Sequence, residues 1–284
     1  MADGKFSGRK KVCIAVAAAV ILILCFWLSP YVPVHFYGSD IRLVNRNAEY
    51  LTDGEDIPVY LRFSFRKFRN LKELNISCNE HTNLGQLKNM QSIEKLTLTL
   101  GDFKSNGDNT FLDKMPYMEN VTELTIAGFR GQRITASSEW VSSFPKLEKL
   151  YIISYGLLDI DGLGGFERLK SLTISDINAG SCGTFSLNVL NNTNLEELDI
   201  RASSGNVPDT KGLSELGSVV SLSVYSDDPQ YDLENISKMK SLKSLRINYC
   251  GEDKPVVRLD QRMTQFLDGL DSFEYFNFDI EDAE

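Results

Sequence analysis

The sequence predicts an α/β solenoid of stacked parallel β-strands, preceded by one transmembrane helix. Two observations support this: an aliphatic triplet that recurs nine times at nearly regular intervals, and an uncharged apolar run near the N-terminus. A hydrophobic content of 42% and a charged content of 24% are typical of a folded chain. We divide the sequence into a basic tail (1–11), a transmembrane anchor (12–34), an N-terminal cap (36–66) and a repeat domain (67–284).

The apolar run extends from Val12 to Leu28 and contains no charged residue and no proline. As a helix, a run of this length measures roughly 25 Å, slightly less than the ~30 Å hydrocarbon core of a bilayer. Trp27, Tyr31 and Phe36 lie at its far end, where aromatic rings favour the headgroup zone. We expect an uncleaved signal-anchor. A cleaved signal peptide and a buried helix of a soluble protein are the alternatives.

The distribution of charge predicts the orientation of this anchor. Arg42 is the only basic residue among the fifteen that follow the apolar run. The tail before it carries four basic residues against one acidic residue, namely Lys5, Arg9, Lys10, Lys11 and Asp3. The positive-inside rule therefore predicts a single-pass protein of the cell membrane, with a cytoplasmic N-terminus and an extracellular repeat domain.

The overall charge is −9, and because residues 1–34 contribute +3, the remaining 250 residues carry −12. An acidic body repels phosphate backbones, so nucleic acid is not an expected partner.

The repeated pattern is L-x-x-L-x-L with conservative replacements. Its nine occurrences are Leu71-Leu74-Ile76, Ile93-Leu96-Leu98, Val121-Leu124-Ile126, Leu147-Leu150-Ile152, Leu169-Leu172-Ile174, Leu195-Leu198-Ile200, Val219-Leu222-Val224, Leu242-Leu245-Ile247 and Phe273-Phe276-Phe278. Their first positions are separated by 22, 28, 26, 22, 26, 24, 23 and 31 residues. The second and third positions lie two residues apart, so both face one side of a short strand, which only neighbouring repeats can bury.

Segments such as FRNLKELNIS, FPKLEKLYI, FERLKSLTI, NTNLEELDI and MKSLKSLRI resemble the leucine-rich-repeat family. The resemblance covers about residues 40–280 and implies a right-handed solenoid, with parallel strands on a concave face and turns or short helices on a convex face. Apolar spacing predicts helical turns at Phe111–Met118, Glu139–Phe144 and Met263–Leu270. A domain of alternating strands and helices is the alternative, but it would need longer apolar strands.

The family's asparagine, which lies three residues after the third apolar position, is mostly absent. Asn79 and Cys250 occupy this position in the first and eighth repeats, so we expect no continuous asparagine ladder. At the N-terminal side, Ile41 and Leu43 predict an incomplete strand within the cap, followed by an alternating stretch at residues 59–65.

Residues that could support catalysis or bind metal do not form a recognisable motif. His35 and His81 are the only histidines, and the sequence contains no CxxC, HExxH, GxSxG or phosphate-binding loop. Asp227 and Asp228 precede Pro229 and predict a turn. We therefore expect no enzyme activity, no cofactor and no metal.

The cysteines of the repeat domain are Cys78, Cys182 and Cys250. Cys78 and Cys250 follow the first and eighth strands, and Cys182 follows the fifth. At about 4.8 Å per strand step, even the closest two would lie about 14 Å apart, beyond the reach of a disulfide. We expect buried free thiols.

The strand residues between and beside the apolar positions should face outward, on the concave side. The candidate ligand contacts among them are Tyr151, Ile153, Thr173, Asp199, Arg201, Tyr225 and Arg246. The resemblance, which extends to membrane-anchored, internalin-like bacterial surface proteins, implies protein–protein recognition or adhesion at the cell surface. The ligand would be a protein, or alternatively a glycan. A structural envelope component, assembled through its transmembrane helix, is the second hypothesis.

Overall fold

The fold was analysed in a computed structural model, which describes residues 16, 18–21, 28–35, 41–51, 59–60, 68–79, 81–101, 110–128, 134–153, 158–177, 187–202, 210–251 and 254–282. In chain order the strands are β1 (Tyr31–His35), β2 (Ile41–Asn45), β3 (Tyr50–Leu51), β4 (Val59–Tyr60), β5 (Glu73–Cys78), β6 (Lys95–Leu100), β7 (Glu123–Ala127), β8 (Ile134–Thr135), β9 (Lys149–Ile153), β10 (Leu158–Asp159), β11 (Ser171–Ile177), β12 (Glu197–Ala202), β13 (Ser221–Ser226), β14 (Ser244–Tyr249), β15 (Val256–Leu259), β16 (Ser272–Phe276) and β17 (Asp279–Asp282). The main sheet is parallel and follows the order β3-β5-β6-β7-β9-β11-β12-β13-β14-β16, with β4 also paired to β5.

The strands of this sheet stand in a constant register. Leu74 pairs with Leu96, and the same second position aligns in strand after strand as far as Leu245. In the first eight triplets, every second- and third-position side chain is at most 2% exposed. The alternation along each strand therefore directs these side chains into one continuous core, which confirms the stacked parallel strands expected for these eight triplets.

A repeated backbone contact joins each repeat to the next. The carbonyl of Lys72 accepts hydrogen bonds from the amides of Glu94 and Lys95, and the carbonyl of Glu94 in turn accepts from Thr122 and Glu123. The same pair of contacts recurs along the sheet to the last strand. Each repeat thus satisfies the backbone polar groups of its neighbour at the point where the chain enters the strand.

The ninth triplet lies in a different register from the predicted one. Phe273 pairs with Leu245 and Tyr275 pairs with Ile247, so they occupy the second and third positions, and Leu270 takes the first. Phe276, predicted to be a core residue, therefore faces outward and is exposed. Three aromatic residues in a short segment fit the triplet in two registers, and pairing with β14 selects the other one. The corrected interval is 28 rather than 31 residues.

The N-terminal end of the sheet extends further than the nine predicted triplets. Leu51 in β3 aligns with Leu74, and Val59 in β4 aligns with Ile76, so the two segments together complete one more strand position. Before them, β1 and β2 form an antiparallel pair. The strand β1 begins at Tyr31, inside the range 12–34 that was predicted as the anchor.

Most of the apolar run Val12–Leu28, including residues 12–15 and 22–27, lies outside the described residues. Val16, residues 18–21 and Leu28 have helical backbone conformation. Within the described part of the chain, no helix has both the length and the hydropathy needed to cross a bilayer.

The connections opposite the sheet are short helices and 3-10 turns. They are α1 (Ser138–Val141), α2 (Pro229–Ile236), α3 (Gln261–Asp268) and turns at Leu84–Asn89, Thr110–Lys114, Asp161–Gly165, Leu187–Asn192 and Thr210–Glu215. Helical turns occur in all three segments where they were predicted. The helix α2 was not predicted: the Asp228 carboxylate accepts from the Tyr231 amide at 3.1 Å, and Pro229 occupies the first turn, so the expected turn is instead a helix N-terminus.

The cysteines are free thiols wherever the structure describes them. Cys78 is buried at the end of β5, and burial raises the pKa of its thiol to about 12, which leaves it protonated and unreactive. Cys250 is only half-buried, and its Sγ donates to the Ser226 carbonyl oxygen at 3.1 Å. A thiol therefore makes the inter-repeat contact at the position where the resemblance places an asparagine. Cys182 lies outside the described residues.

Candidate ligand-binding surface

The outward side chains of the parallel strands form a surface that we call the exposed sheet face. Because side chains alternate along a strand, each strand contributes residues beside the two core positions, and the constant register places them in rows. The row between the core positions contains Asn75, Thr97, Thr125, Tyr151, Thr173, Asp199, Ser223, Arg246 and Glu274. The row before it contains Glu73, Lys95, Glu123, Lys149, Ser171, Glu197, Ser221, Ser244 and Ser272.

In the N-terminal half of this face, the charges on neighbouring strands pair with each other. Lys95 Nζ lies 3.4 Å from Glu73 Oε1 and 3.9 Å from Glu123 Oε2. Glu123 and then Glu73 raise the pKa of Lys95, so the three side chains hold alternating charges in a line across three strands. Threonines beside them complete a shallow depression of about 300 Å³.

In the C-terminal half, small side chains leave a longer groove of about 400 Å³ across β9 to β16. Its floor is formed mainly by serines, namely Ser171, Ser221, Ser223, Ser244 and Ser272. Tyr151 stands at one end, and Arg246 with Glu274 stands at the other. Hydroxyl groups with an aromatic ring and charged groups at the margins suit a polar ligand that makes many hydrogen bonds.

Two arginines on this face are held by carboxylates. Arg201 donates from Nε at 2.8 Å and from Nη2 at 2.6 Å to Asp199 Oδ2. Arg246 contacts Glu274 through Nε at 2.8 Å and through Nη2, and its guanidinium lies 5.8 Å from the centre of the Phe276 ring. A guanidinium fixed in this way loses little conformational entropy when a ligand binds to it.

The structure brings six of the seven predicted ligand contacts into two adjoining depressions. Tyr151, Thr173 and Asp199 line the serine groove. Arg201 and Tyr225 line a second depression of about 440 Å³, and Arg246 contributes to both. Ile153 lies on the exposed sheet face but lines neither depression.

Several lining residues of these depressions were not predicted from the sequence. Glu274 and Phe276 were missed because the last triplet was placed in the wrong register. Asn277 lies just beyond the end of β16, where the strand pattern gives no signal. Ser223, which lines both depressions, was recognised as outward-facing but not selected, because a small hydroxyl gives no distinctive signal. Correct alignment of Tyr275 with Ile247 would have identified Glu274 and Phe276 as outward.

No candidate metal site occurs in the part of the chain that is described. There, no group of three His, Cys, Asp or Glu side chains is arranged to hold a metal ion.

Comparison with known proteins identifies the repeats. Residues 69–177 match the family model described as R13L1/DRL21 leucine-rich repeats. Together with the in-register stack of parallel strands, this match confirms the leucine-rich-repeat assignment made from the triplets. No curated protein matches the sequence significantly.

Two solved structures from Listeria monocytogenes are similar to this chain. The internalin inlF is 17% identical to this chain. The match covers 74% of this chain and 63% of inlF, with a TM-score of 0.43. The internalin C2 (inlC2) is 16% identical to this chain. The match covers 85% of this chain and 80% of inlC2, with a TM-score of 0.41. The match to inlF therefore spans less than two thirds of that protein.

Proposed function

We propose that this protein is a membrane-anchored recognition protein, whose exposed sheet face binds a protein ligand outside the cell. The observation that carries this proposal is the pair of adjoining depressions on the C-terminal half of that face, which share Ser223 and Arg246. The residues that line them do not contribute to the hydrophobic core, with the exception of the leucines beneath the floor.

The composition of this surface supports protein recognition. Tyrosine, arginine and phenylalanine are enriched in binding hot spots, and Tyr225, Arg246 and Phe276 meet in one depression. Asn248 adds an amide beside them. A glycan remains the alternative ligand, because hydroxyl and amide groups serve both kinds of partner.

The apolar N-terminal run supports membrane anchoring. Its described residues are apolar and exposed to solvent, as at Val16, Val20 and Ile21. An exposed helix with apolar side chains of this kind is stabilised by a lipid environment. The four basic residues before the run support a cytoplasmic tail and an extracellular repeat domain.

The test is a crosslinking pull-down from intact source cells that express the full chain. Ser223→Tyr fills the point where the two depressions meet and leaves the core unchanged, because Ser223 faces outward. Proteins crosslinked to the wild-type chain should be lost with this variant. Ser142→Tyr, at an exposed position after α1 on the opposite side, is the matched control and should keep them.

Retention of the same partners by Ser223→Tyr would contradict recognition through this face. Deletion of residues 1–28, which removes the apolar run but keeps β1 and its buried Val32 and Val34, separates the second hypothesis. If partners are lost only with this deletion and bind normally to Ser223→Tyr, the protein assembles through its membrane helix as an envelope component.

A further inference from the structure

The strand pair β1–β2 has two faces of different environment. Cross-strand partners share a face, so Val32 and Val44 lie on one side, and Pro33 and Leu43 lie on the other. Val32 and Val34 are fully buried in the core, and Val44 packs against it. The inner face of the pair therefore closes the N-terminal end of the hydrophobic core.

The outer face of the same pair is mostly apolar and exposed, with the polar Asn45 opposite Tyr31. Leu43 is 71% exposed, Ile41 is 64% exposed and Tyr31 is 49% exposed. In a strand pair that faces water, alternation places polar side chains on the outer side. Large aliphatic side chains at these positions instead indicate a face that contacts another apolar surface in the functional protein.

The position of this face in the chain points to its occupant. Tyr31 follows Leu28 by three residues, a separation of at most about 10 Å, and Leu28 ends the apolar run that we propose to enter the membrane. Leu28 is itself 74% exposed. The apolar helix end and the apolar strand face are thus neighbours along the chain, and one lipid phase can cover both.

Local charge also permits contact with a bilayer. The repeat domain is strongly acidic, but residues 28–48 contain one acidic residue, Asp40, and two arginines, Arg42 and Arg46. Tyr31 adds an aromatic ring of the kind that is enriched at the headgroup level. The repulsion that keeps the rest of the domain away from anionic lipid therefore does not apply to this segment.

We propose that the outer face of β1–β2, formed by Tyr31, Ile41 and Leu43, lies in the interfacial zone of the bilayer that holds the anchor. This inference rests on the proposed membrane anchoring and extends it. The solenoid would then be held against the membrane at its N-terminal end by a second contact, rather than hanging from a flexible tether.

The test uses the full chain reconstituted in phosphatidylcholine vesicles, with the photoreactive residue benzoylphenylalanine in place of Leu43. The matched control carries the same residue in place of Val256, an aliphatic side chain that is 47% exposed in the separate strand pair β15–β17. We expect covalent lipid adducts from position 43 at a yield several-fold above that from position 256. Far-ultraviolet circular dichroism identical to wild type establishes that both variants are folded.

The outcomes separate the inference from the function on which it rests. Chains that float with the vesicles but give equal adduct yields at the two positions overturn the inference and leave the anchor intact. Adducts between two protein chains at position 43 also overturn it, because the occupant is then a second copy. Chains that do not float overturn both the anchor and the inference.

Discussion

The two ends of the solenoid close the hydrophobic core in different ways. At the N-terminal end, β3, β4 and the inner face of β1–β2 cover the first repeat, and Leu74 in β5 is 2% exposed. At the C-terminal end, β16 is the last strand of the sheet, and Tyr275 in a core position is 45% exposed, where its neighbour Ile247 is fully buried. One end is covered by additional strands, and the other leaves part of its last layer open.

At the C-terminal end, negative charge rather than burial protects the last strand of the sheet. Residues 263–284 contain no lysine or arginine, whereas their acidic residues are Asp268, Asp271, Glu274, Asp279, Glu281, Asp282 and Glu284. Such a cluster opposes edge-to-edge pairing between two copies of the chain. A repeat domain can therefore protect a strand edge either by covering it with further strands or by repelling the same edge of another copy.

The largest predicted effect compares equivalent core positions at the two ends. Leu74→Ala should lower the free energy of unfolding by about 2–5 kcal/mol, since it leaves a cavity in a fully packed layer. Phe273→Ala, at the register-matched position of β16, should cost markedly less, because Phe273 is only partly buried. Urea unfolding followed by circular dichroism measures both. Equal losses would contradict the difference between the ends.

A buried carboxyl in the C-terminal half should make stability depend on pH. Asp232 is 3% exposed; it accepts a hydrogen bond from Thr210 Oγ1 at 2.6 Å, and its Oδ2 has no hydrogen-bond partner among the described residues. Burial, reinforced by Asp227 and Asp228, raises the pKa of Asp232 to about 6. The folded state therefore binds the proton more tightly than the unfolded state, and this carboxyl destabilises the fold increasingly as pH rises from about 4 to about 6 and by a constant amount above that.

Asp232→Asn should raise the free energy of unfolding at pH 7.5 by on the order of 2 kcal/mol. The gain should shrink as pH falls and disappear near pH 4, where the wild-type carboxyl is protonated. Urea midpoints for both chains at pH 4, 5, 6 and 7.5 measure this difference. A gain that is independent of pH would show that the charge of Asp232 is not its cause.

A helix cap near the open end should have a smaller effect. The Asp260 carboxylate accepts from the Met263 amide at 2.7 Å at the start of α3. Asp260→Ala should cost about 1 kcal/mol. Hydrogen exchange should locate the loss in α3 and β16, and Asp260→Asn, which keeps the cap, should restore most of the protection. Loss of protection as far away as β5 would contradict a local effect.

The smallest predicted effect concerns the charges of the N-terminal half. Lys95 is exposed and Glu73 is partly exposed, so their coupling in a double-mutant cycle should be about 0.2–1 kcal/mol. It should weaken between 0.05 and 0.5 M salt, since the Debye length shortens over roughly this range. A coupling above this range that does not respond to salt would indicate that the line of charges contributes more than ordinary surface pairs.

The sequence was sufficient to predict the sheet but not the details of its ends. Aliphatic triplets specify strand register because each inward side chain must meet its equivalent in the next repeat, and Leu74 through Ile247 follow this rule. The rule fails at Phe273, Tyr275 and Phe276, where aromatic residues fit either register. At the N-terminal end, β4 lies at the start of the alternating stretch predicted at residues 59–65, but β3 and the pairing of both segments with β5 were missed, because seven residues separate Leu51 from Val59.

The candidate surface was only partly predictable for a related reason. Sequence pattern establishes which residues point outward, and six of the seven predicted contacts do line a depression. The depressions arise because Ser221, Ser223 and Ser244 have small side chains. A run of small residues on successive strands can be recognised as a groove only when the strand register is known. Arg201 and Arg246 stood out in sequence because arginine is enriched in binding hot spots.

The strict alternation along each strand has an evolutionary consequence. Inward positions carry the packing and outward positions carry the surface, so a change such as one at Ser223 alters the groove without disturbing Leu222 or Val224 on either side. Mutation can therefore explore new ligands one strand at a time on an unchanged scaffold, and specificity can diverge among descendants faster than the architecture does.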